Sequence, residues 1–191
     1  MFEYKLHSGK SVIKQIVAFH SDTARVDFIT EVDWHEEKKL LKAYFPVDIR
    51  TDYATFDVQS GTIRRATHAN TSWDAAKHEV YGHKFCDLSE ARFGVALLND
   101  SKYGYSVREG NMGLSLLKAS KFPDHEADMK VHNFIYSLLP HDRALEDSTV
   151  FEEAHKLNTP LWVAIVNKPA GDEDFASLRD AVNAIAPIQI D

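Results

Sequence analysis

Hydrophobic and polar residues alternate along most of the first two thirds of the chain. In residues 25–32, one set of alternate positions holds Val26, Phe28, Thr30 and Val32, and the intervening set is more polar. A repeat of two residues is typical of a β-strand that buries one face, and β-branched and aromatic residues favour strands. The pattern therefore predicts a strand over this segment.

Similar segments predict seven further strands. They are Lys39–Ile49, Tyr53–Gln59, Thr62–Thr67, Glu79–Asp87, Phe93–Leu98, Met112–Lys118 and His132–Pro140. The pairs Ser60-Gly61 and Gly110-Asn111 can each supply the positive φ angle that a tight hairpin turn requires. Many strands joined by short turns predict a mainly β fold, either an antiparallel sandwich or a barrel.

Helical signals are confined to the C-terminal part of the chain. Ser148 or Thr149 can cap a short helix near residues 149–157, which carries acidic residues in its first turn and ends before Pro160. Beyond it, residues 161–166 are predicted to form a strand and residues 175–185 an amphipathic helix.

Composition and charge narrow the class of protein. A length of 191 residues with 44% hydrophobic and 27% charged residues suits one ordinary globular domain. The net charge of -7 provides no positive field for a phosphate backbone, so we expect no nucleic-acid partner. No apolar run is long enough to span a bilayer, and the N-terminus has no signal-peptide pattern, so we expect no membrane partner.

Cys86 is the single cysteine of the chain. An internal disulfide is therefore excluded, which indicates a reducing compartment. Nothing near Cys86 in the sequence would lower its pKa, so we predict a buried structural thiol rather than a nucleophile.

Residues 68–105 combine histidines, aromatic rings and carboxylates in a segment whose pattern indicates turns and strands rather than a helix. Loops on a rigid sheet commonly carry binding groups, and a sugar site has this composition. The rings of Trp73, Tyr81, Tyr103 and Tyr105 could stack on a pyranose or pack in the core. For Trp34, Phe45 and Phe56, which lie within predicted strands, core packing is favoured.

Neither a metal site nor a catalytic pair is indicated by the spacing of the charged residues. His68, His78 and His83 match no zinc signature, and hydrogen bonds to the backbone or to substrate are the alternative role for them. A glycosidase needs two carboxylates that flank the scissile bond. Asp74, Asp87, Glu90 and Asp100 lie near candidate turns, but no pattern pairs any two of them. We therefore predict no catalytic residue and no metal ligand in this chain.

Ordered motifs along the chain resemble a known family. The matching segments are residues 31–36 (EVDWHE), 39–42 (KLLK), 45–49 (FPVDI), 67–74 (THANTSWD), 82–84 (GHK), 87–90 (DLSE), 94–100 (GVALLND), 102–104 (KYG), 114–117 (LSLL), 123–124 (PD) and 138–141 (LLPH). In this order they look like the C-terminal β-rich region of glycoside hydrolase family 38 α-mannosidases of the cytosolic and vacuolar type. The agreement extends from about residue 10 to residue 162.

The resemblance implies a fold, an activity and a set of partners. The implied fold is a large antiparallel β-sandwich, similar to galactose-mutarotase-like domains. Such enzymes are retaining exo-α-mannosidases that remove terminal α-mannose residues from oligosaccharides with a zinc ion, an Asp nucleophile and an acidic proton donor. Their catalytic residues lie in an upstream domain, so residues 1–191 are expected to be part of the C-terminal β-sandwich, with the catalytic domain absent and zinc bound outside this chain.

On this basis the expected role of the chain is to support the catalytic domain of the same polypeptide and to assist carbohydrate binding. The residues expected to face that domain or the sugar are His68, Asn70, Trp73, Asp74, His83, Asp100 and Tyr103. Hydrogen bonds that stabilise loops are the alternative role for them. A homo-oligomer and a cytoplasmic or vacuolar location are expected for the whole enzyme. The alternative function is a stand-alone carbohydrate-binding module without hydrolase activity.

Overall fold

The structure, a computed structural model, describes residues 1–161. Its strands are β1 (Phe2–Ser8), β2 (Ser11–Phe19), β3 (Val26–Asp33), β4 (Leu40–Pro46), β5 (Tyr53–Val58), β6 (Gly61–Ala66), β7 (Val80–Tyr81), β8 (Phe85–Ser89), β9 (Gly94–Asn99), β10 (Gly104–Arg108), β11 (Asn111–Lys118) and β12 (Val131–His141). Its helices are α1 (Ser72–Ala76), a 3₁₀ turn at Leu145–Asp147 and α2 (Val150–Asn158). Met1–Thr159 form one compact unit, and the second unit, Pro160–Asp191, lies almost entirely outside the described residues.

The strands form two antiparallel sheets. The large sheet has eight strands in the order β1-β2-β3-β12-β9-β8-β5-β6, and the small sheet has four in the order β4-β11-β10-β7. β12 lies between β3 and β9 and so joins the N-terminal hairpins to the rest of the large sheet. The mainly β, antiparallel sandwich predicted from the sequence is confirmed.

The main core lies between the two sheets. Its buried side chains include Val32, Phe56 and Leu97 from the large sheet and Tyr105 and Met112 from the small sheet. Each comes from the alternate positions of a strand, because successive side chains point to opposite faces of a sheet. Trp34 and Phe56, predicted as core residues, are 2% and 1% exposed, and Phe45 packs against the same cluster as a partly buried residue.

A second apolar layer covers the outer face of the large sheet. Val150 and Ala154 of α2 pack with Phe85, Leu98 and Leu139 from β8, β9 and β12. All six residues of β9 are buried as a result, since one face meets the main core and the other meets α2. The helix was predicted correctly, although its cap is the Ser148 hydroxyl, which accepts from the N–H of Val150 at 3.3 Å, and Thr149 makes no side-chain capping bond.

Two sequence expectations are corrected by the structure. The predicted strand Glu79–Asp87 is two strands, β7 and β8, which belong to different sheets. The chain crosses between the sheets at Gly82, where an added Cβ would lie 3.0 Å from the ring of Tyr105, so only glycine fits without displacing that ring. In the β5–β6 hairpin the predicted Ser60-Gly61 pair does supply the positive φ, which belongs to Ser60 at 60°, and Gly61 begins β6.

The second correction concerns α1, which occupies a segment predicted to contain turns and strands. Thr71 caps it, because the Thr71 hydroxyl oxygen accepts from the Asp74 N–H at 3.1 Å and the same hydroxyl donates to the Asp74 carboxylate at 2.7 Å. Gly110, with φ 75°, supplies the predicted hairpin turn between β10 and β11. The predicted strand at 161–166 and helix at 175–185 lie outside the described residues, apart from Leu161.

Candidate functional site

A groove of about 560 Å³ lies at one open side of the sandwich. One wall is β6, the edge strand of the large sheet, and the other is formed by β7 and β10 of the small sheet. Because β7 is only two residues long and pairs with Gly104 and Tyr105, it leaves Ser106–Arg108 of β10 along the groove without a neighbouring strand on that side. We call this cavity the edge groove.

Helix α1 is fastened to the rim of the edge groove by Arg108. The Nη2 group of Arg108 donates to the backbone oxygens of Asp74, Ala75 and Lys77 at 3.1, 3.3 and 2.9 Å. A cation at these carbonyls stabilises the last turn of the helix, where the carbonyl groups have no partner within the helix. This interaction holds the segment 71–78 beside the groove.

Arg65 is the central cation of the edge groove. It is paired with Ala54 in the β5–β6 register, which places it on the core-facing side of the sheet. Its guanidinium carbon lies 4.7 Å from the ring centroid of Phe56 and 4.7 Å from that of Tyr81. Two aromatic faces thus hold the cation by cation–π attraction, while burial lowers the pKa of Arg65 from its ordinary value.

Two acidic residues in the edge groove are already engaged. The hydrogen bond from Thr71 and the nearby Lys77 ammonium lower the pKa of Asp74. Burial of Glu79 opposes ionisation, but bonds from Lys42, at 2.6 Å, and from the Ser115 hydroxyl outweigh it and lower the pKa of Glu79. Both carboxylates are therefore ionised at neutral pH and bound to groups outside the centre of the groove.

His68 also lines the edge groove. Its Nδ1 atom is buried and has no hydrogen-bond partner among the described residues, and the same is true of Nη1 of Arg65. Buried polar atoms are nearly always hydrogen-bonded in proteins. These two residues of the groove lining therefore have a hydrogen-bonding capacity that no described residue uses.

The predicted site residues fall into three places. His68 and Asp74 line the edge groove, and Asn70 and Trp73 lie in the adjoining α1 segment, where Trp73 is 81% exposed. His83 lies elsewhere, beside Tyr103, with ring centroids 5.6 Å apart. Asp100 accepts from the N–H of Ile135 at 2.9 Å, so its side chain fastens a turn to β12.

The ring of His83 lies between those of Tyr81 and Tyr103 and contacts both. Its ring lies 6.4 Å from that of Tyr81, which reaches into the edge groove, and its backbone oxygen accepts from Asn99 Nδ2 at 2.8 Å. The buried Tyr105 hydroxyl bonds to Asn99, and burial raises the pKa of Tyr105 well above its usual value. These bonds fix the backbone at His83, while the rings of Tyr81 and Tyr103 are exposed.

Sequence reasoning missed Arg65 and Arg108 as site residues. A signal existed for Arg65, because the alternation in β6 that places Ile63 on the core side also places Arg65 there. A cation at a core-facing position of an edge strand indicates a special role. Arg108 carried no such signal, since its contact with α1 depends on the fold.

A buried polar pair lies on the outer face of the large sheet. His141 Nε2 and an Asp87 carboxylate oxygen are 2.8 Å apart, with side chains only 4% and 2% exposed. The Ser89 hydroxyl donates to the other Asp87 oxygen, so this serine contacts the acid rather than the histidine and is not activated as a nucleophile. Burial lowers the pKa of His141, but the bond to Asp87 outweighs it and raises that pKa overall.

Within residues 1–161, no three His, Cys, Asp or Glu side chains are placed to hold a metal ion together. The residues present therefore do not fit a zinc site. Cys86 is fully buried, and burial raises its pKa well above the usual value, which agrees with the predicted structural thiol. The described helices include none that is long and apolar enough to cross a bilayer.

The two-sheet sandwich with a covered outer face places the chain in the class of β-sandwich domains. The family model of the glycosyl hydrolases family 38 C-terminal domain matches residues 2–126. The chain therefore belongs to this family, as the resemblance of its motifs implied.

Curated relatives are α-mannosidases. The chain is 48% identical over 159 residues to alpha-mannosidase G of Dictyostelium discoideum, covering 83% of this chain and 15% of that protein. It is 47% identical over 163 residues to human alpha-mannosidase 2C1, covering 85% of this chain and 16% of that protein. The chain thus spans about one sixth of the length of these relatives.

The fold itself is found in a solved enzyme. The crystal structure of an alpha-mannosidase from Enterococcus faecalis V583 matches with a TM-score of 0.70 and 18% identity, over 76% of this chain and 17% of that one. At this identity the likeness concerns the fold.

Proposed function

We propose that the chain is part of a retaining exo-α-mannosidase that removes terminal α-mannose residues from oligosaccharides. The observation that carries this proposal is the identity of 48% and 47% to two α-mannosidases over more than four fifths of the chain. Since the chain corresponds to only 15% and 16% of those proteins, hydrolysis belongs to the parent enzyme.

The role proposed for this β-domain is to support the catalytic domain. Its large sheet ends in β1, whose inner face carries Phe2 and Leu6, 68% and 51% exposed. Phe19 of β2, 60% exposed, packs edge-on against Phe2 on the same face. Open edges and contiguous apolar surface are typical of surfaces that other chain segments cover. The catalytic domain of the same polypeptide is the partner that this surface suits.

A second role proposed for the domain is in carbohydrate binding. The edge groove combines the ring of Tyr81 with hydrogen-bonding groups of His68 and Asp74, and sugar sites use this mixture of flat apolar faces and polar groups. Asn70 and Trp73, next to the groove, are proposed to contact substrate or the catalytic domain. His83 and Tyr103 extend the same aromatic surface. Asp100 is the weakest candidate because its carboxylate already accepts from the backbone N–H of Ile135.

Zinc is proposed to be bound in the parent enzyme outside this chain, where it would supply a Lewis acid for the reaction. The nucleophile and the proton donor are proposed to lie outside it as well. A homo-oligomer and a cytoplasmic or vacuolar location remain predictions for the parent enzyme.

An assay of the chain alone tests the location of catalysis. The purified chain is incubated with an aryl α-mannoside and added zinc, beside a parent enzyme that contains the catalytic domain as the positive control. We expect no turnover above background from the chain. Turnover that rises with zinc and with chain concentration would contradict the proposal.

The alternative is a stand-alone carbohydrate-binding module, which the preformed edge groove favours. Calorimetric titration with mannose and mannobiose separates the two functions. A supporting domain binds neither sugar measurably on its own and tends to associate through its exposed faces. A monomer that binds mannobiose with a defined stoichiometry would establish the alternative.

A further inference from the structure

The edge groove holds a cation whose charge nothing in the described chain neutralises. Among residues 1–161, no carboxylate lies within ion-pair distance of Arg65, whereas Arg25, also partly buried, bonds to Asp27 at 2.8 Å and to Glu153 at 3.0 Å. Burying a charge without a partner is costly. The contrast between the two arginines shows that a buried guanidinium in this sandwich can be paired, and Arg65 is not.

The aromatic contacts of Arg65 leave one nitrogen of its guanidinium without a hydrogen-bond partner. Phe56 and Tyr81 lie 4.7 Å from the guanidinium carbon, so they interact with its π faces. Nη1, at the edge, is buried and unpartnered. Guanidinium edges donate two parallel N–H groups to carboxylates and phosphates, and this is the geometry that an oxyanion requires.

His68 supplies the second polar atom. His68 lines the same groove, its Nδ1 has no hydrogen-bond partner among the described residues, and an imidazole ring can donate to an anion from a ring N–H. The local carboxylates do not repel an incoming anion strongly, because Asp74 is paired with Lys77 at 3.6 Å and Glu79 with Lys42 at 2.6 Å. Arg108 adds further positive charge at the rim.

We propose that the edge groove is an oxyanion-binding site in which Arg65 and His68 donate to a carboxylate or phosphate group. The groove, at about 560 Å³, is larger than such a group alone. The anionic group is therefore carried by a larger molecule, whose apolar part lies against Tyr81 and Val107. This ligand class is distinct from neutral mannose, and the proposal does not rest on the proposed α-mannosidase function.

Anion titration of the whole 191-residue chain tests the proposal. The probes are inorganic phosphate and acetate, each added at constant ionic strength against a chloride reference, because screening alone changes surface electrostatics. Binding is followed by calorimetry and by the NMR signals of the Arg65 side chain. We expect one site per chain. Tighter binding of phosphate assigns a phosphate ester, and tighter binding of acetate assigns a carboxylate.

Three variants locate the site. Arg65→Gln is expected to weaken anion binding by roughly tenfold or more, since a charge-assisted, forked contact is lost. Arg65→Lys keeps the positive charge but loses the two parallel N–H donors, so it is expected to weaken anion binding less than Arg65→Gln does. This variant replaces Arg65→Gln in the test if Arg65→Gln fails to fold. Arg92→Gln is the matched control, because Arg92 is exposed and is not part of the lining of the edge groove.

Two results would overturn the proposal. One is the absence of saturable binding of either anion by the wild-type chain, and the other is an equal loss of binding in Arg92→Gln and Arg65→Gln, which would indicate nonspecific attraction. Titration with neutral mannose is run in parallel. Its outcome bears on the carbohydrate-binding role and leaves the anion result unaffected.

Discussion

The buried Asp87–His141 pair is expected to make the stability of the domain depend on pH. The raised pKa of His141 means that the folded state binds a proton more tightly than the unfolded chain does. The stability from this pair is therefore fully present below the unfolded histidine pKa of about 6.5 and is lost as pH rises through the folded value. Between about pH 6 and pH 8.5 the free energy of unfolding of the wild-type chain should fall.

Asp87→Ala tests the size of this contribution. Asp87 accepts from both His141 and Ser89, and the His141 and Asp87 side chains are almost completely buried. Removing one partner of a buried, hydrogen-bonded ion pair costs about 3–5 kcal/mol. Asp87→Asn retains an acceptor without the charge, so it should cost less and should abolish most of the pH dependence.

The assay is urea unfolding followed by tryptophan fluorescence, performed at about pH 6 and about pH 8.5. Asp22→Asn is the control, because Asp22 is exposed and is not among the groups that shift the pKa of His141. This variant should match the wild type within about 0.5 kcal/mol. An Asp87→Asn variant whose loss of stability is the same at both pH values would refute the presence of a charged pair.

Two further predictions concern packing and turns. Leu139→Ala should reduce the free energy of unfolding by about 2–5 kcal/mol, because the side chain is 1% exposed between β9 and α2. Leu40→Ala, at a position 46% exposed, is the control in the same denaturation experiment. Equal losses of stability in the two variants would contradict the burial argument. Gly110→Ala should cost about 1 kcal/mol or more, because its φ is 75° and a Cβ would lie 2.5 Å from the Val47 oxygen. Gly61→Ala, with no atom within 4 Å of the added Cβ, should be nearly neutral by the same measurement, and a reversed order would show that turn geometry does not set the cost.

Much of the fold could be predicted because the strands have one apolar face. The strand predicted at residues 25–32 is β3, and the predicted Tyr53–Gln59 is β5 within one residue. The division of Glu79–Asp87 could not be predicted in the same way, since periodicity shows that a segment is extended but not which sheet it joins. The break at Gly82 is set by the distant Tyr105 ring.

The site was predicted less completely than the fold. The composition of residues 68–105 indicated a binding region, and His68 and Asp74 do meet in one groove. Helix α1 was missed although Thr71 and Asp74 have the spacing of a capping box. Arg65 was missed because it precedes residues 68–105, where the binding region was predicted. Its position beside Tyr81 also depends on the two sheets meeting at one edge.

The place of β12 in the large sheet also determines when that sheet can be completed during synthesis. β3 pairs Val26 with Leu138, so the central strand that joins the two halves of the sheet is made more than a hundred residues after its partner. At a synthesis rate of about 5–20 residues per second, β12 is synthesised on the order of ten seconds after β3. During that interval the nascent N-terminal hairpins have an unpaired edge and an uncovered apolar face, and such surfaces make partly folded chains prone to aggregate.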